Sequence, residues 1–395
     1  MDGQQQSAPP CPSLLEVFWA FLRLGLTAFG GPAMVAYIGD LAVTRRRWLT
    51  RSSFREGVAI AQTIPGATAM QAAAYVGLQV RGMLGAAAAY VGFGSPAFAL
   101  MVILSAVYRA THGLPVSQAV LLGLQVIVVA IVARAAWTFG RTTLKGWADG
   151  LIASGAAAYL ALGGNPILGI MAGALAGLAL YRGRRAADGP TPSPESRPLL
   201  STTRQVGLII LFALAGLVSL LLVSRTLFDL SLLMLRVDAL AFGGGFASVP
   251  VMLHEVVGLR HWLSTRVFMD GIALGQVTPG PVVITATFVG YQLAGFLGAL
   301  VATISVFLPS FVILALVVPH FDRLRANPYF QHALGGVLAS FVGLLLAVAL
   351  RFALAVPWSL YSGLLGVAAF VALMLKVDVP WVVVPGAIIS ALFLR

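Results

Sequence analysis

Two arginines lie inside long apolar runs, each a few residues before a cluster of glycines. Arg23 belongs to FLRLGLTAFGGP (Phe21–Pro32), and Arg236 belongs to MLRVDALAFGGG (Met234–Gly245). An arginine at the middle of a membrane helix costs roughly 2.5–3.5 kcal/mol on insertion scales, which favours a functional reason for keeping it. A guanidinium keeps its charge and offers donors in a planar fork that suits a tetrahedral oxyanion. The pattern predicts Arg23 and Arg236 as counter-charges for a bound anion.

The glycines and prolines near these arginines predict backbone donors for the same anion. Glycine weakens a helix and proline removes a donor, so the FGG, IPG and TPG sequences are expected to break their segments into half-helices. Half-helix N-termini expose N–H groups of partial positive charge, and glycine lets an anion approach them. The alternative is that these residues only permit close helix packing. The other predicted substrate-binding residues are Phe29, Gly30, Gly31, Gln62, Pro65, Gly66, Phe242, Gly243, Gly244, Gln276, Pro279 and Gly280.

Three carboxylates lie near the same segments. Glu56 and Asp270 occupy matching positions, each directly before a glycine that opens an apolar segment. Each is interpreted either as an N-cap or first-turn carboxylate, or as a gating or proton-coupling group. Asp238 has no counterpart, because Gly25 stands at the matching position. The sequence therefore excludes Asp238 from a symmetric mechanism.

The motifs recur at a nearly constant offset. Arg23 and Arg236 are 213 residues apart, and YVGLQVRGMLGA at Tyr75–Ala86 shares seven of twelve residues with FVGYQLAGFLGA at Phe288–Ala299. Shared Gln, Pro, Trp and Arg in the same order are not explained by apolar composition, so two homologous repeats are expected. The predicted organisation is a disordered tail (1–13), a first repeat (14–181), a cytoplasmic linker (182–204), an extra inverting span (205–225) and a second repeat (226–395).

Composition places the chain in the membrane. Hydrophobic residues make up 59% of the 395 residues and charged residues only 10%, against about 25% charged residues in soluble domains. Several runs exceed the roughly 18 apolar residues of a membrane-spanning helix. The predicted fold is an all-α polytopic membrane protein of about 13 apolar segments, with no nucleic-acid partner and no cofactor. The sequence contains no phosphate-loop, zinc-protease or nucleophile-elbow motif, so it is not predicted to be an enzyme.

Basic residues indicate how the repeats are oriented. The loop after the first FGG motif is much richer in arginine than its second-half counterpart, which predicts that the first is cytoplasmic and the second external. The arginines are Arg45, Arg46, Arg47, Arg51 and Arg55 in the first loop, and Arg260 and Arg266 in the second. The two repeats are therefore expected to be inverted, as in many secondary transporters.

The motifs FLRLGLTAFGGPA, AQTIPGA, FGGG and GQVTPGP resemble those of the chromate ion transporter family in its long-chain, two-domain form. The resemblance implies a multi-pass inner-membrane protein that exports chromate, confers chromate resistance and accepts sulfate as a mimic. It points to Arg23, Phe29, Gly30, Gly31 and Pro32 as residues that handle substrate, although Gly245 replaces the proline in the second half. Two alternatives stay open: a transporter of sulfate or another oxyanion, and a lipid-scrambling or membrane-organising protein with re-entrant hairpins.

Overall fold

The computed structural model describes residues 12–29, 32–181 and 199–393, and every regular element in these ranges is helical. Most of the predicted tail, 1–13, and of the predicted linker, 182–204, lies outside these ranges. Gly30 and Gly31 of the first FGG motif also lie outside them.

The first half contains seven of the helices. They are α1 (Leu14–Thr27), α2 (Pro32–Gly39), α3 (Arg51–Thr63), α4 (Thr68–Thr111), α5 (Pro115–Thr143), α6 (Trp147–Ala161) and α7 (Pro166–Leu180). A π-helical segment, Asp40–Arg45, extends α2.

The remainder of the chain contains nine. They are α8 (Leu199–Val223), α9 (Arg225–Ala239), α10 (Ser248–Leu253), α11 (Thr265–Val277), α12 (Thr285–Val317), α13 (Phe321–Ala326), α14 (Pro328–Ala355), α15 (Leu360–Met374) and α16 (Val379–Phe393). A π-helical segment, His254–Leu259, extends α10, and short 3-10 turns precede α10, α12 and α13.

Five stretches of helix are long and apolar enough to cross a membrane. They are Thr68–Thr111, Pro115–Thr143, Arg204–Val223, Val282–Ala326 and Pro328–Ala355. Helix α8 presents large apolar side chains outward, with Phe212 75% and Leu222 81% exposed. Apolar exposure on this scale is stable against lipid and not against water. The protein is a multi-pass membrane protein.

The chain segment that follows α2 returns to the start of α1. Glu16, at the start of α1, forms an ion pair of 2.9 Å with Arg46, which follows the π-helical extension of α2. The rings of Phe21 and Trp48 approach to 6.5 Å between centroids. A helix of the length of α1 spans about 21 Å, less than the roughly 30 Å of a bilayer core. The two ends of this segment therefore lie at the same end of the molecule, as in a hairpin.

A second hairpin follows, made of α3 and the first arm of α4. A Cβ atom on Gly57 would collide with the ring of Tyr75, so α3 and the first arm of α4 are in contact at these positions. The break at Gly66 lies between them in sequence. Helix α4 then reverses at Arg81–Gly82, where Gly82 has φ 63° and ψ −155°. Gly77 and Gly85 consequently touch through their backbones. The second arm of α4, residues 83–111, is the first long span.

The second half repeats this arrangement. Helix α12 reverses at Ala294–Gly295 with dihedral angles close to those of α4, φ 60° and ψ −147° at the glycine. Gly290 and Gly298 touch as Gly77 and Gly85 do, and a Cβ atom on Gly271 would meet the ring of Phe288. The hairpin of α11 and the first arm of α12 is thus built like its counterpart.

The two halves interlock through their long helices. Helices α6 and α7 pack against α14 of the second half, while α15 and α16 pack against α5 of the first half. Small residues permit the closest approaches: Gly343 contacts the Ala153 carbonyl, and Gly336 contacts the Gly173 carbonyl. Each half therefore supplies the partner surface of the other.

Candidate anion site at the helix breaks

The breaks of the two halves meet inside the molecule. The Gly66 N–H donates a hydrogen bond of 3.0 Å to the Ala241 carbonyl, joining the IPG break of the first half to the FGG break of the second. Gly66 also lies against Ser310 of α12, whose hydroxyl a Cβ atom on Gly66 would strike. Reciprocally, a Cβ atom on Gly280 would lie 2.7 Å from the Ala97 Cβ of α4.

These contacts fix the depth of the breaks. Ala97 and Ser310 each follow a proline, Pro96 or Pro309, and lie near the middle of the long arms formed by residues 83–111 and 296–326. Both arms belong to stretches that are long and apolar enough to cross a bilayer, so the breaks lie level with the middle of these stretches. Secondary transporters bind substrates at this depth, at the interface between their repeats.

The helices that leave the breaks begin without side-chain caps. The N-cap of α4 is Ala67, and the turn before α12 follows Pro281; neither residue supplies a capping hydrogen bond. Three helices that begin away from the breaks are capped, by Ser13 for α1, Thr50 for α3 and Ser264 for α11, whereas α5, which begins after Leu114, has no side-chain cap. Since the first N–H groups of a helix have no intrahelical acceptor, the breaks present donors and partial positive charge.

The second FGG motif lies over both uncapped ends. A Cβ atom on Gly244 would be 3.4 Å from the Thr68 Oγ1, and one on Gly245 would be 3.4 Å from a Val283 methyl group. Gly243 packs on the ring of Phe139 of α5. This loop therefore packs over the N-terminal ends of both helices, and backbone N–H groups at such ends are donors for anions.

The two predicted arginines do not contact the Gly243–Gly245 loop or the helix N-termini beneath it. Arg23 is exposed, on a face of α1 that also exposes Leu15, Trp19 and Leu26. Arg236 is exposed in the last turn of α9. Neither guanidinium pairs with a described residue. Both lie one turn before a break, and their role as counter-charges stays a prediction.

The other predicted residues divide between the centre and the surface. Pro65, Gly66 and Pro279 are buried, while Gly280, Phe29 and Phe242 are partly buried. Gln62 is exposed, whereas the Nε2 of its counterpart Gln276 is enclosed without a hydrogen-bond acceptor among the described residues. Gly30 and Gly31 are outside the described residues, so the expected contribution of the first FGG motif stays a prediction.

The matched carboxylates Glu56 and Asp270 have different surroundings. Neither caps its helix, since Thr50 and Ser264 do so. Glu56 is exposed on α3, but Asp270 is only 4% exposed. Its carboxylate accepts hydrogen bonds from the Tyr108 hydroxyl at 3.0 Å and the Gln125 Nε2 at 2.7 Å, both in the first half. Asp270 therefore joins the halves, which the sequence comparison with Glu56 does not predict.

Two buried polar residues at the breaks, Gln71 and Asp238, were not among the residues predicted to form the site. Gln71 of α4 is fully buried and its Nε2 donates to the Pro65 carbonyl at 2.6 Å. Asp238, excluded above for want of a counterpart, is fully buried and accepts hydrogen bonds from the backbone and hydroxyl of Ser310. The sequence does contain a signal for each residue. Gln71 is the polar residue in the alanine-rich TAMQAAA, and Asp238 is a carboxylate two residues after Arg236 in an apolar run.

Comparison with known proteins identifies relatives along most of the chain. The family model described as chromate transporter matches twice, at residues 15–178 and 228–391, the same offset of 213 residues. An uncharacterised transporter of Methanocaldococcus jannaschii is 42% identical over 349 residues, covering 88% of this chain and 87% of the relative.

Two more distant relatives carry functional names. The probable chromate transport protein of Synechococcus elongatus is 32% identical over 85% of this chain and 83% of its own length. The chromate transport protein of Cupriavidus metallidurans is 31% identical over 85% and 81%, respectively. No solved structure matches the chain.

Proposed function

The chain belongs to the chromate transporter family, and we propose that it is a secondary transporter that exports chromate across the inner membrane. The observation that carries the proposal is the pair of uncapped helix N-termini under the Gly243–Gly245 loop at mid-membrane depth. The N–H groups of such ends bind tetrahedral oxyanions without a resident cofactor.

The path of the chain supports two inverted repeats, 14–181 and 226–395. The re-entrant hairpins begin and end on one side, so each repeat returns the chain to the side on which it began. Helix α8, which overlaps the predicted extra span 205–225, then reverses the second repeat. The fold thereby allows alternate exposure of one central site to the two sides of the membrane.

The distribution of charge supports the same orientation. In this topology the cytoplasmic side receives most of the basic residues near helix ends, including those after the first FGG motif and those within α13. This cytoplasmic set is Arg45, Arg46, Arg47, Arg51, Arg55, Arg81, Arg141, Lys145, Arg323 and Arg325, against Arg109, Arg225, Arg260, Arg266 and Arg351 on the other side. The imbalance follows the positive-inside rule.

The membrane potential favours export of a dianion. One elementary charge moved across 100 mV is worth about 2.3 kcal/mol, so chromate leaving an inside-negative cell gains about 4.6 kcal/mol per 100 mV. Outward transport therefore needs no ATP hydrolysis, and it would lower cytoplasmic chromate and give resistance.

Chromate uptake into everted inner-membrane vesicles, with and without excess sulfate, tests the proposal. We expect uptake that depends on the membrane potential and is inhibited by sulfate, relative to vesicles without the protein. Uptake of sulfate in preference to chromate would instead establish the second candidate, a sulfate transporter. The backbone N–H groups at the breaks favour that candidate too, because they recognise the charge and shape of a tetrahedral dianion, which sulfate and chromate share. The absence of either flux at confirmed expression would contradict both.

A further inference from the structure

We propose that Asp238, Gln71 and Ser310 form a binding site for a monovalent cation, either a sodium ion or a proton, that is coupled to anion transport. The inference rests on the proposed transport function and adds the identity of the coupling site.

Asp238 is a buried carboxylate without a cationic partner. Its Oδ2 accepts two hydrogen bonds from Ser310, from the backbone N–H at 2.7 Å and from the hydroxyl. Its Oδ1 is inaccessible to solvent and accepts no hydrogen bond from a described residue. A buried carboxylate is retained only when it is paired, coordinates a cation or is protonated.

Gln71 supplies a second buried acceptor without a donor. Its Nε2 is committed to the Pro65 carbonyl, and its Oε1 is inaccessible to solvent and unpartnered among the described residues. An unsatisfied buried acceptor costs about 1–3 kcal/mol. One cation that binds both oxygens would satisfy both acceptors.

Gly66 shows that the side chains of Gln71 and Ser310, which is bonded to Asp238, lie next to each other. The Cβ position of Gly66 lies 2.8 Å from the Gln71 Nε2 and still closer to the Ser310 Oγ, which is itself bonded to Asp238. The side chains of Gln71, Ser310 and Asp238 thus surround one backbone position.

The ends of two helices favour positive charge at this cluster. Helices α3 and α9 end at Thr63 and Ala239, so their carbonyl ends reach the breaks where Gly66 bonds to Ala241. Helix C-termini carry partial negative charge and stabilise cations. In other transporters with broken helices, N-termini face the substrate anion while carbonyl ends and unwound backbone hold the coupling ion. Here the Gly66–Ala241 hydrogen bond connects the break that begins α4 to the break that follows α9.

The charged and titratable groups around Asp238 leave its charge uncompensated. Tyr90 of α4 interacts with it electrostatically, and its hydroxyl donates to the Phe307 carbonyl at 2.8 Å, one turn before Ser310. Arg236, two residues before Asp238, is exposed and forms no hydrogen bond or ion pair with it in the described chain.

Thermal unfolding of the purified full chain tests the site without relying on transport. The midpoint Tm is measured in sodium, potassium and choline chloride of equal ionic strength, from about pH 5.5 to about pH 8.5. The variants are Asp238→Asn and the control Asp229→Asn, which alters an exposed carboxylate of the same helix that pairs with Arg225 at 3.9 Å. Folding of each variant is checked by size-exclusion chromatography.

Two results support the proposal and identify the ion. For a sodium site, only sodium raises the Tm of the wild type and of Asp229→Asn, and Asp238→Asn loses the effect. For a proton site, the Tm of both proteins falls as pH rises, independently of sodium, and Asp238→Asn loses this dependence. Equal sodium and pH responses in wild type and Asp238→Asn would overturn the proposal.

A second variant keeps the test decisive if Asp238→Asn fails to fold. Gln71→Leu removes one acceptor while leaving the carboxylate. In the sodium case we expect about a tenfold higher half-effective sodium concentration, equivalent to about 1.4 kcal/mol. In the proton case we expect a shifted pH midpoint. An unchanged response would overturn the role of Gln71. Chromate transport without either cation effect would overturn this inference alone, whereas a cation effect without oxyanion transport would overturn only the proposed function.

Discussion

At the scale of single residues, Gly66 is the position at the breaks where only glycine fits. It has φ 120°, a conformation that side chains rarely adopt, and its Cβ position is occupied by the Ser310 hydroxyl. We expect Gly66→Ala to abolish chromate transport, with a destabilisation of about 1–3 kcal/mol from overpacking. The control is Gly155→Ala in α6, a helical glycine with no atom within 4 Å of its Cβ position. Vesicle uptake, normalised to protein in the membrane, should be lost only in the first; equal losses would contradict the packing argument.

Arg23 provides a second test at this scale. It is exposed close to the tip of a re-entrant hairpin, so its charge lies near the membrane interior, where retention requires a reason. We expect Arg23→Gln to abolish vesicle uptake of chromate while the protein stays in the membrane. Arg204→Gln, at an exposed arginine of α8, should transport normally. Near-normal transport by Arg23→Gln would remove its role as a counter-charge.

The unequal surroundings of Asp270 and Glu56 give a third prediction. Asp270→Asn cannot accept both present donors without a compensating rearrangement, and an unsatisfied buried donor costs about 1–3 kcal/mol. We expect a lower Tm and at least about a tenfold loss of transport, following the same free-energy scale. Glu56→Gln, at the exposed matching position, should change both by much less. Similar effects of the two variants would indicate a symmetric role for the pair, as the sequence alone suggests.

At the scale of the elements, the hairpins determine which side of the membrane each loop faces. In a background with Cys11→Ser, which removes the only cysteine, single cysteines can report exposure to an impermeant maleimide in intact cells. We expect Leu259→Cys to be labelled from outside and Arg51→Cys only after the membrane is opened, because the repeats are inverted.

Leu114→Cys, in the exposed turn between α4 and α5, is the matched control for that measurement. Its side chain is 55% exposed, as is that of Leu259. The proposed topology places both on the outer side, so they should be labelled alike. Labelling of Arg51→Cys and Leu259→Cys from the same side would contradict the inversion of the repeats.

At the scale of the whole molecule, neither half has a complete set of packing partners. Helices α6 and α7 depend on α14, and α15 and α16 depend on α5. We expect residues 1–190 expressed alone to be degraded, and co-expression with residues 191–395 to restore membrane yield, co-purification and transport. A stable first half on its own would show that its exposed helices find another partner, and would contradict the interdependence of the halves.

The sequence by itself determined the class of protein and its local breaks. The apolar runs predict membrane helices because lipid leaves no other partner for backbone polar groups. The duplicated Gly and Pro motifs predict where helices end, since these residues act on their own backbone. Both halves of the chain indeed contain helices broken at IPG and TPG.

Only the tertiary structure decided which polar groups became buried. Gln62 and Gln276 match in sequence, as do Glu56 and Asp270, yet in each pair one side chain is exposed and the other, or its terminal group, is enclosed. Asp238 and Gln71 gained their positions because α12 brings Ser310 against Gly66, a contact across more than 200 residues. Burial depends on which surfaces of the two halves meet, and no local pattern in the chain encodes that pairing.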